Sequence, residues 1–212
     1  MKKLNILILI LCILSLAGQL LLLPKLPDTT PPPWNISGEI DGYGSKYTSL
    51  FLAAIPLLMY GLFELIPRID PRKQNYEKHQ KAYTVVRILT SLLFIALVWA
   101  TNAAAMGIPV DIGLAAPIGV GLLFLVIGNY MPQIRPNYSF GIRTPWTLES
   151  PYVWKKTHTA GGVLFCIYGL LLIAAGIIQK EWMMNLFLAV LLLGTAALTL
   201  YSWFLFRREQ TK

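Results

Sequence analysis

The chain has 212 residues, of which 56% are hydrophobic and 13% are charged, and its formal net charge is +8. Soluble domains carry about 25% charged residues, so this deficit, together with a mean hydropathy of +0.59, excludes an ordinary soluble domain and indicates a membrane protein. The basic residues are scattered over loop ends beside apolar segments, so the net charge does not indicate nucleic-acid binding.

The apolar residues fall into six blocks, each close to the ~20 residues of helix that cross a hydrocarbon core of about 30 Å. The first block follows two lysines, but its apolar run is longer than that of a signal peptide and no A-x-A site follows, so we predict a span there as well. The six predicted spans are residues 4–23, 48–66, 85–104, 112–130, 159–178 and 185–206.

Lysine and arginine are distributed unevenly over the two sides that these spans define. One side carries 15 of the 18 and the other carries three, whereas the acidic residues divide evenly, five and five. Because the side with the excess of Lys and Arg stays in the cytoplasm, we predict cytoplasmic N and C termini. The predicted fold class is therefore an all-α membrane protein with six transmembrane helices.

The first long connection, residues 24–47, is predicted to be extracytoplasmic. Its prolines exclude a helix, and Trp34 suits the aromatic belt at a membrane surface. Asn35, Glu39 and Asp41 bring oxygen atoms together, but they lack the alternating spacing of a calcium loop. They are either turn-forming, solvated residues or a contact surface for a cationic peptide.

Glu64 is the one acidic residue within a predicted span, close to its cytoplasmic end. Intramembrane acids are functional candidates by default, although this one could also reach the interface or pair with Arg68 or Lys81. The following inner connection, residues 67–83, predicts a short helix with a solvated, charged face. We expect residues 1–67 to form a two-helix region and residues 68–212 to form a four-helix region.

The longest inner connection runs from residue 131 to residue 158, which is 28 residues, whereas neighbouring helices need only about 2–8. Ser150 and Pro151 are typical of an N-cap and a first helical position. The helix that they start would place Trp154 and His158 four residues apart on one face.

Three alternatives remain open for Arg143, Thr144, Pro145 and Trp146. They could set the topology, with Arg at the phosphates and Trp in the interface. They could form a docking surface for a cytoplasmic partner or a lipid headgroup, since Arg can make bidentate bonds to phosphate or carboxylate. The segment could also fold back between helices with its polar groups bonded inside the bundle.

The sequence predicts no catalytic residues, metal site or cofactor. The two histidines have no nearby Cys or acidic cluster, which makes a poor zinc site, and a lone His at the entrance of a span is more often a hydrogen-bonded structural residue. The chain has no H-E-x-x-H, G-x-S-x-G or phosphate-binding glycine loop. Transport is weakly indicated as well, because no charge is predicted at mid-membrane.

The segments GIRTPWTL (141–148), VWKKTH (153–158) and GG (161–162), together with Gly128-Asn129, resemble the SdpI family of bacterial membrane proteins. The family is named for immunity proteins against a secreted toxic peptide. The stretch LPDTTPPPWNISGEIDGYGSK (26–46) resembles a small membrane domain of unknown function often found upstream of that pattern. Together the two resemblances cover nearly the whole chain.

Two positions depart from the family pattern. Pro33 stands where His commonly precedes the Trp-Asn pair, so this chain has no imidazole there for protonation or metal binding. Thr159 stands where Arg often follows the Thr-His pair, so one cationic anchor is missing.

The resemblance implies a multi-pass protein of the bacterial cytoplasmic (inner) membrane that protects the cell by binding, without turnover. Its implied partners are the lipid bilayer, a secreted toxic peptide outside and a cytoplasmic regulator inside, with no direct nucleic acid. The alternative functions are a small-solute or lipid-handling transporter and an intramembrane enzyme. The predicted partner- or lipid-binding residues of the cytoplasmic face are Asn129, Arg143, Thr144, Pro145, Trp146, Trp154 and His158.

The charge distribution predicts the topology directly. Reporter fusions after residues 75, 140 and 212 should report the cytoplasm, and a fusion near residue 40 should report the outside, because Lys and Arg are retained on the cytoplasmic side. A cytoplasmic signal from the fusion near residue 40 would reverse the orientation.

Overall fold

The computed structural model describes residues 2–30, 42 and 44–211, and it confirms the all-helical membrane fold with six long apolar helices. The α-helices are α1 (Lys2–Leu22), α2 (Lys46–Ile69), α3 (Gln74–Lys78), α4 (Gln80–Ala105), α5 (Ile112–Tyr130), α6 (Pro145–Glu149), α7 (Pro151–Ile178) and α8 (Glu181–Gln210). Single 3-10 turns follow α1 and α5, at Leu23–Lys25 and Met131–Gln133. Two two-residue strands, β1 (Thr29–Thr30) and β2 (Gly44–Ser45), pair antiparallel before α2.

The long helices form two groups of three. In the first group α1 and α2 contact each other and α4, and in the second group α7 contacts both α5 and α8; α4 and α5 join the groups. These contacts place α4 beside α1 and α2, while the predicted division of the chain at residue 67 stays a prediction.

Helix α5 and helix α7 approach closely because glycines face each other at heptad spacing. A Cβ added to Gly121 would lie 2.7 Å from the carbonyl oxygen of Gly169, and one added to Gly128 would lie 2.6 Å from that of Gly162. The positions run in opposite directions along the two helices in steps of seven, so one antiparallel register satisfies both pairs. Small residues at such steps let backbones pack in a membrane, where helix association depends on van der Waals contact.

Polar side chains join α1 to α4 inside the bundle. The side-chain amides of Gln19 and Asn102 are both buried and bond each other, and Trp99 Nε1 donates to Ser15 Oγ at 2.9 Å. Because a polar group in hydrocarbon has no water to bond, such pairs fix which helix faces which.

The glycine register gives a stability prediction. Gly169→Ala would bring its Cβ to 2.6 Å from the backbone oxygen of Gly121, so the helices must separate, and we expect a loss of about 1–3 kcal/mol. Gly61→Ala is the matched control, because a Cβ there meets nothing within 4 Å and alanine favours the helix by up to about 1 kcal/mol.

The measurement is thermal unfolding of both variants in detergent, followed by helical circular dichroism. Equal midpoints for Gly169→Ala and Gly61→Ala would contradict the close α5–α7 packing.

Candidate functional site

The connection between α5 and α7 folds into an ordered unit, the polar cap, which we define as residues 131–158. Its apolar centre consists of Met131, Ile134 and Trp154, all at most 3% exposed. Trp154 Nε1 also donates to the carbonyl oxygen of Ile134 at 2.8 Å. A single side chain therefore fills the centre of the polar cap and bonds its backbone.

Trp154 reaches this position because α7 begins early. Ser150 is the N-cap, with its hydroxyl accepting from the Val153 N–H at 3.2 Å, and Pro151 is the first helical residue. Both features were predicted. Because of them, α7 begins about two turns before residue 159, the predicted start of span five.

His158 lies against Trp154, one helical turn further on, with ring centroids 4.1 Å apart and an interplanar angle of 18°. Its Nε2 accepts from the Ile142 N–H at 3.0 Å, and its Nδ1 lies 2.8 Å from the carbonyl oxygen of Trp154. Because Nε2 accepts, the proton lies on Nδ1 and the ring is neutral. His158 is completely buried, so it positions the backbone at Ile142 and can act on a partner only through that backbone.

Gly141 is required at the point where the two halves of the polar cap meet. Its φ is +110°, which side-chain-bearing residues rarely adopt, and a Cβ there would lie 2.4 Å from His158 Nε2. The glycine of GIRTPW and the histidine of VWKKTH therefore form one contact.

The loop before Gly141 wraps around the buried side chain of Asn137. Its Nδ2 donates to the carbonyl oxygens of Arg135 and Phe140 at 2.8 and 2.9 Å. Its Oδ1 accepts from the N–H groups of Ser139 and Phe140 at 2.9 and 2.6 Å. One amide thus replaces the hydrogen bonds that regular secondary structure would supply.

Asp70, directly after α2, connects the polar cap to the first group of helices. Its Oδ2 accepts from the Tyr138 N–H at 2.9 Å, from Ser139 Oγ at 2.9 Å and from the Tyr76 hydroxyl at 3.0 Å. Burial alone would raise the pKa of Asp70, but these donors and the Arg72 N–H outweigh it and hold the pKa below its usual value. The carboxylate is therefore ionised and serves as a structural acceptor.

Further hydrogen bonds join the segment that follows Asp70 to the polar cap. Arg72 donates to the carbonyl oxygen of Leu148 at 3.1 Å, and Asn75 Nδ2 donates to that of Pro136 at 2.7 Å. The Arg135 N–H donates to His79 Nδ1 at 3.2 Å. The predicted short helix is present as α3, and its charged residues Glu77 and Lys78 are exposed as expected. The neighbouring Tyr76 and His79 are buried and bond the polar cap.

The polar cap also bonds α8. Thr144 and Thr147 form a capping box at the start of α6, and Thr144 Oγ1 lies 3.0 Å from Ser202 Oγ. The Ser150 hydroxyl donates to Glu209 Oε2 at 2.5 Å. Thr144 therefore belongs to the buried framework, as Trp154 and His158 do.

The remaining predicted residues of this face form its accessible surface. Arg143, Pro145 and Asn129 are exposed and Trp146 is half-buried. Among the described residues, Arg143 donates one bond, to the carbonyl oxygen of Tyr138, and the rest of its guanidinium is available in this part of the chain. The structure thus divides the predicted set into a buried framework and an exposed surface.

Glu64 takes part in two ion pairs. Its predicted pairing with Arg68 is present at 3.2 Å, and a second pair joins it to Arg87 on α4, whose side chain is 5% exposed. In the part of the chain that the structure describes, Lys81 makes no ion pair with it. Sequence analysis missed Arg87 because it was counted only as a basic residue near the end of a span.

The predicted extracytoplasmic residues Trp34, Asn35, Glu39 and Asp41 lie outside the described residues. The segments that flank them are joined, since Lys46 Nζ contacts Asp28 Oδ1 at 2.7 Å. This bond holds the pKa of Asp28 below its usual value. Within the described ranges, no three His, Cys, Asp or Glu side chains are grouped as a metal site would require.

The burial of His79 against the polar cap predicts how the stability of the protein depends on pH. Burial, assisted by Arg135 and opposed by Asp70, lowers the pKa of His79 to about 4, whereas an unfolded His titrates near 6.5. The unfolded chain then binds more protons, so this contribution to stability is intact above about pH 6.5 and declines towards pH 4, by at most about 1.4 kcal/mol per pH unit.

The matched variant is His79→Asn, whose side-chain oxygen can accept from the Arg135 N–H but does not titrate. As the pH is lowered from about 7 to about 5, the midpoint temperature of thermal unfolding should fall more steeply for the wild type than for the variant. Parallel pH profiles would contradict a neutral, buried His79.

Comparison with known proteins matches two parts of the chain to family models. Residues 133–202 match the SdpI/YfhL protein family, and residues 10–59 match DUF1648, a domain of unknown function. The chain is 26% identical over 208 residues to Immunity protein SdpI of Bacillus subtilis (strain 168), which covers 98% of both chains. No solved structure matches. The resemblance to the SdpI family is confirmed: the chain carries an SdpI/YfhL family domain, which runs from the polar cap to Ser202, behind an N-terminal DUF1648 domain.

Proposed function

We propose that this chain is a membrane immunity protein that protects a bacterial cell against a secreted antimicrobial peptide, and that it acts by binding. The observation that carries the proposal is its similarity to Immunity protein SdpI along 98% of both chains. A match of that extent includes all six long helices and the polar cap.

The polar cap supports binding because its surface is preorganised. Asp70, Asn137 and His158 are buried and use their polar atoms to hold loop backbone. Arg143 and Trp146 are therefore presented on a framework that needs little ordering when a partner binds, which reduces the entropic cost of association.

The two faces have different partners in this proposal. With the polar cap in the cytoplasm of a bacterial inner-membrane protein, its exposed residues contact a cytoplasmic regulator. The connection before α2 then faces outside, where Trp34, Asn35, Glu39 and Asp41 contact the peptide. Two acidic residues suit a cationic peptide, because complementary charge steers encounter and excludes other partners.

Protection can be measured in Bacillus subtilis cells that lack their own immunity protein and are challenged with the toxic peptide. Cells expressing the wild-type chain should survive, whereas cells expressing Glu39→Gln/Asp41→Asn at equal levels should lose protection. If cells expressing the wild-type chain survived no better than cells with an empty vector, the immunity function would be refuted.

Arg143→Lys separates a partner contact from a structural role. A lysine can replace the one bond to the Tyr138 carbonyl, so thermal stability should stay at the wild-type value. It cannot replace a planar fork on a partner carboxylate or phosphate, so regulator-dependent output should fall about tenfold. Arg207→Lys is the control, because Arg207 is exposed at the end of α8, outside the polar cap; equal output from both variants would exclude Arg143 as a partner contact.

Proteoliposomes distinguish binding from the alternative of transport. A binding protein should retain labelled peptide to a saturating level that does not rise with time or with an ion gradient. Time-dependent accumulation of peptide, solute or lipid would favour the transporter.

A further inference from the structure

A polar cleft of about 300 Å³ opens at the same end of the bundle as the polar cap, between the start of α1, the end of α2, α3 and the start of α4. This volume lies at the lower end of the range for ligand pockets, about 300–1,000 Å³. Its lining includes Asn5, Glu64, Lys73, Glu77 and Arg87. None of these residues belongs to the polar cap.

Two residues that line this cleft each carry a buried polar atom with no hydrogen-bond partner among the described residues: Arg87 Nε, a donor, and Asn5 Oδ1, an acceptor. Arg87 is only 4% exposed. Buried polar atoms in proteins are nearly always bonded, because leaving one unbonded is unfavourable. A ligand that satisfied both atoms would have to present an acceptor and a donor together.

The unbonded atoms belong to residues that meet at Tyr60. The Tyr60 hydroxyl donates to the carbonyl oxygen of Asn5 at 3.1 Å, and the guanidinium carbon of Arg87 lies 5.1 Å from the Tyr60 ring centroid. Glu64 accepts from Arg87 NH1 on the other side. Contacts across three helices therefore fix the positions of the donor and the acceptor.

Beside the paired charges of Glu64, the cleft carries one charge of each sign that has no ion-pair partner among the described residues. Lys73 and Glu77 are both exposed and line the cleft, and neither makes an ion pair within the described part of the chain. A ligand with a phosphate and a primary ammonium suits this lining. Its phosphate would pair with Arg87 and Lys73, and its ammonium would pair with Asn5 and Glu77.

The helices that form the cleft also expose apolar side chains beside it. Leu62, Leu65 and Ile69 of α2 are 49%, 49% and 66% exposed, and Leu4 and Leu7 of α1 are 44% and 50% exposed. On a spanning helix such surface faces lipid. A polar headgroup in the cleft could therefore keep its acyl chains along α1 and α2.

We infer that this cleft binds the headgroup of an aminophospholipid, a phosphodiester with a primary ammonium, as in phosphatidylethanolamine. The donor of Arg87 and the charge of Lys73 hold the phosphate. The amide oxygen of Asn5 and the carboxylate of Glu77 accept hydrogen bonds from the ammonium. A quaternary choline cannot replace it, because choline has no N–H to donate. This site is independent of the proposed immunity function and of the membrane orientation.

Lipid selectivity tests the inference by native mass spectrometry of the full chain in detergent. Phosphatidylethanolamine should bind about tenfold more tightly than phosphatidylcholine or phosphatidylglycerol, because each lacks one of the paired interactions. Arg87→Lys, which keeps the charge beside Glu64 but loses Nε, and Lys73→Gln should each abolish this preference. Lys78→Gln, an exposed lysine on α3 that does not line the cleft, should retain it.

Equal retention of the three lipids by the wild type would overturn the inference. So would identical behaviour of Lys73→Gln and Lys78→Gln. Soluble phosphoethanolamine at the same concentration should not displace the lipid; if it did, the cleft would be a site for a soluble ligand. Lys73→Gln sits on an exposed position, so its result stands even if Arg87→Lys fails to fold.

Discussion

At one end of the membrane bundle lies a long segment that is neither helix nor strand. The structure depends on hydrogen bonds to the backbone N–H and C=O groups of this segment. Each N–H and C=O group that leaves water needs a partner, and in residues 134–144 a few buried side chains supply it. Asn137 bonds the loop to itself, His158 bonds it to α7 and Asp70 bonds it to the end of α2. Because these bonds reach different helices, the polar cap also fixes how the two groups of helices are arranged.

Much of this architecture could be predicted from the sequence, because the signals are local. Apolar length predicted the six helices, and the Ser150-Pro151 pair predicted the start of α7 and hence the shared face of Trp154 and His158. Asp70 and Asn137 could not be identified in this way, since an Asp or Asn in a connection has the same local context whether it is solvated or buried. Asp70 acts through contacts with residues 68 and 69 positions away along the chain. Asn137 bonds its own loop, but its oxygen also accepts from the Tyr76 hydroxyl, 61 positions away.

For charged and small residues as well, the sequence did not show which distant residue each one contacts. Glu64 was expected to pair with a nearby cation, and Arg68 lies one turn away, but Arg87 depends on the packing of α2 against α4. The glycines at positions 121 and 128 and at 162, 169 and 176 have heptad spacing in the sequence, which indicates a close helix pair. Only the packing of α5 against α7 shows which glycine faces which. Within the predicted partner-binding set, burial separates Trp154 and His158, which build the polar cap, from Arg143 and Trp146, which it displays.

Hydrogen exchange of individual backbone amides tests most directly whether buried side chains order the polar cap. The amides of Tyr138, Phe140 and Ile142 donate to Asp70, Asn137 and His158, so in the wild-type protein they should exchange as slowly as amides within α7, although they lie outside any helix. Exchange at the rate of an unstructured loop would contradict this account, because it would show that the connection between α5 and α7 is a tether.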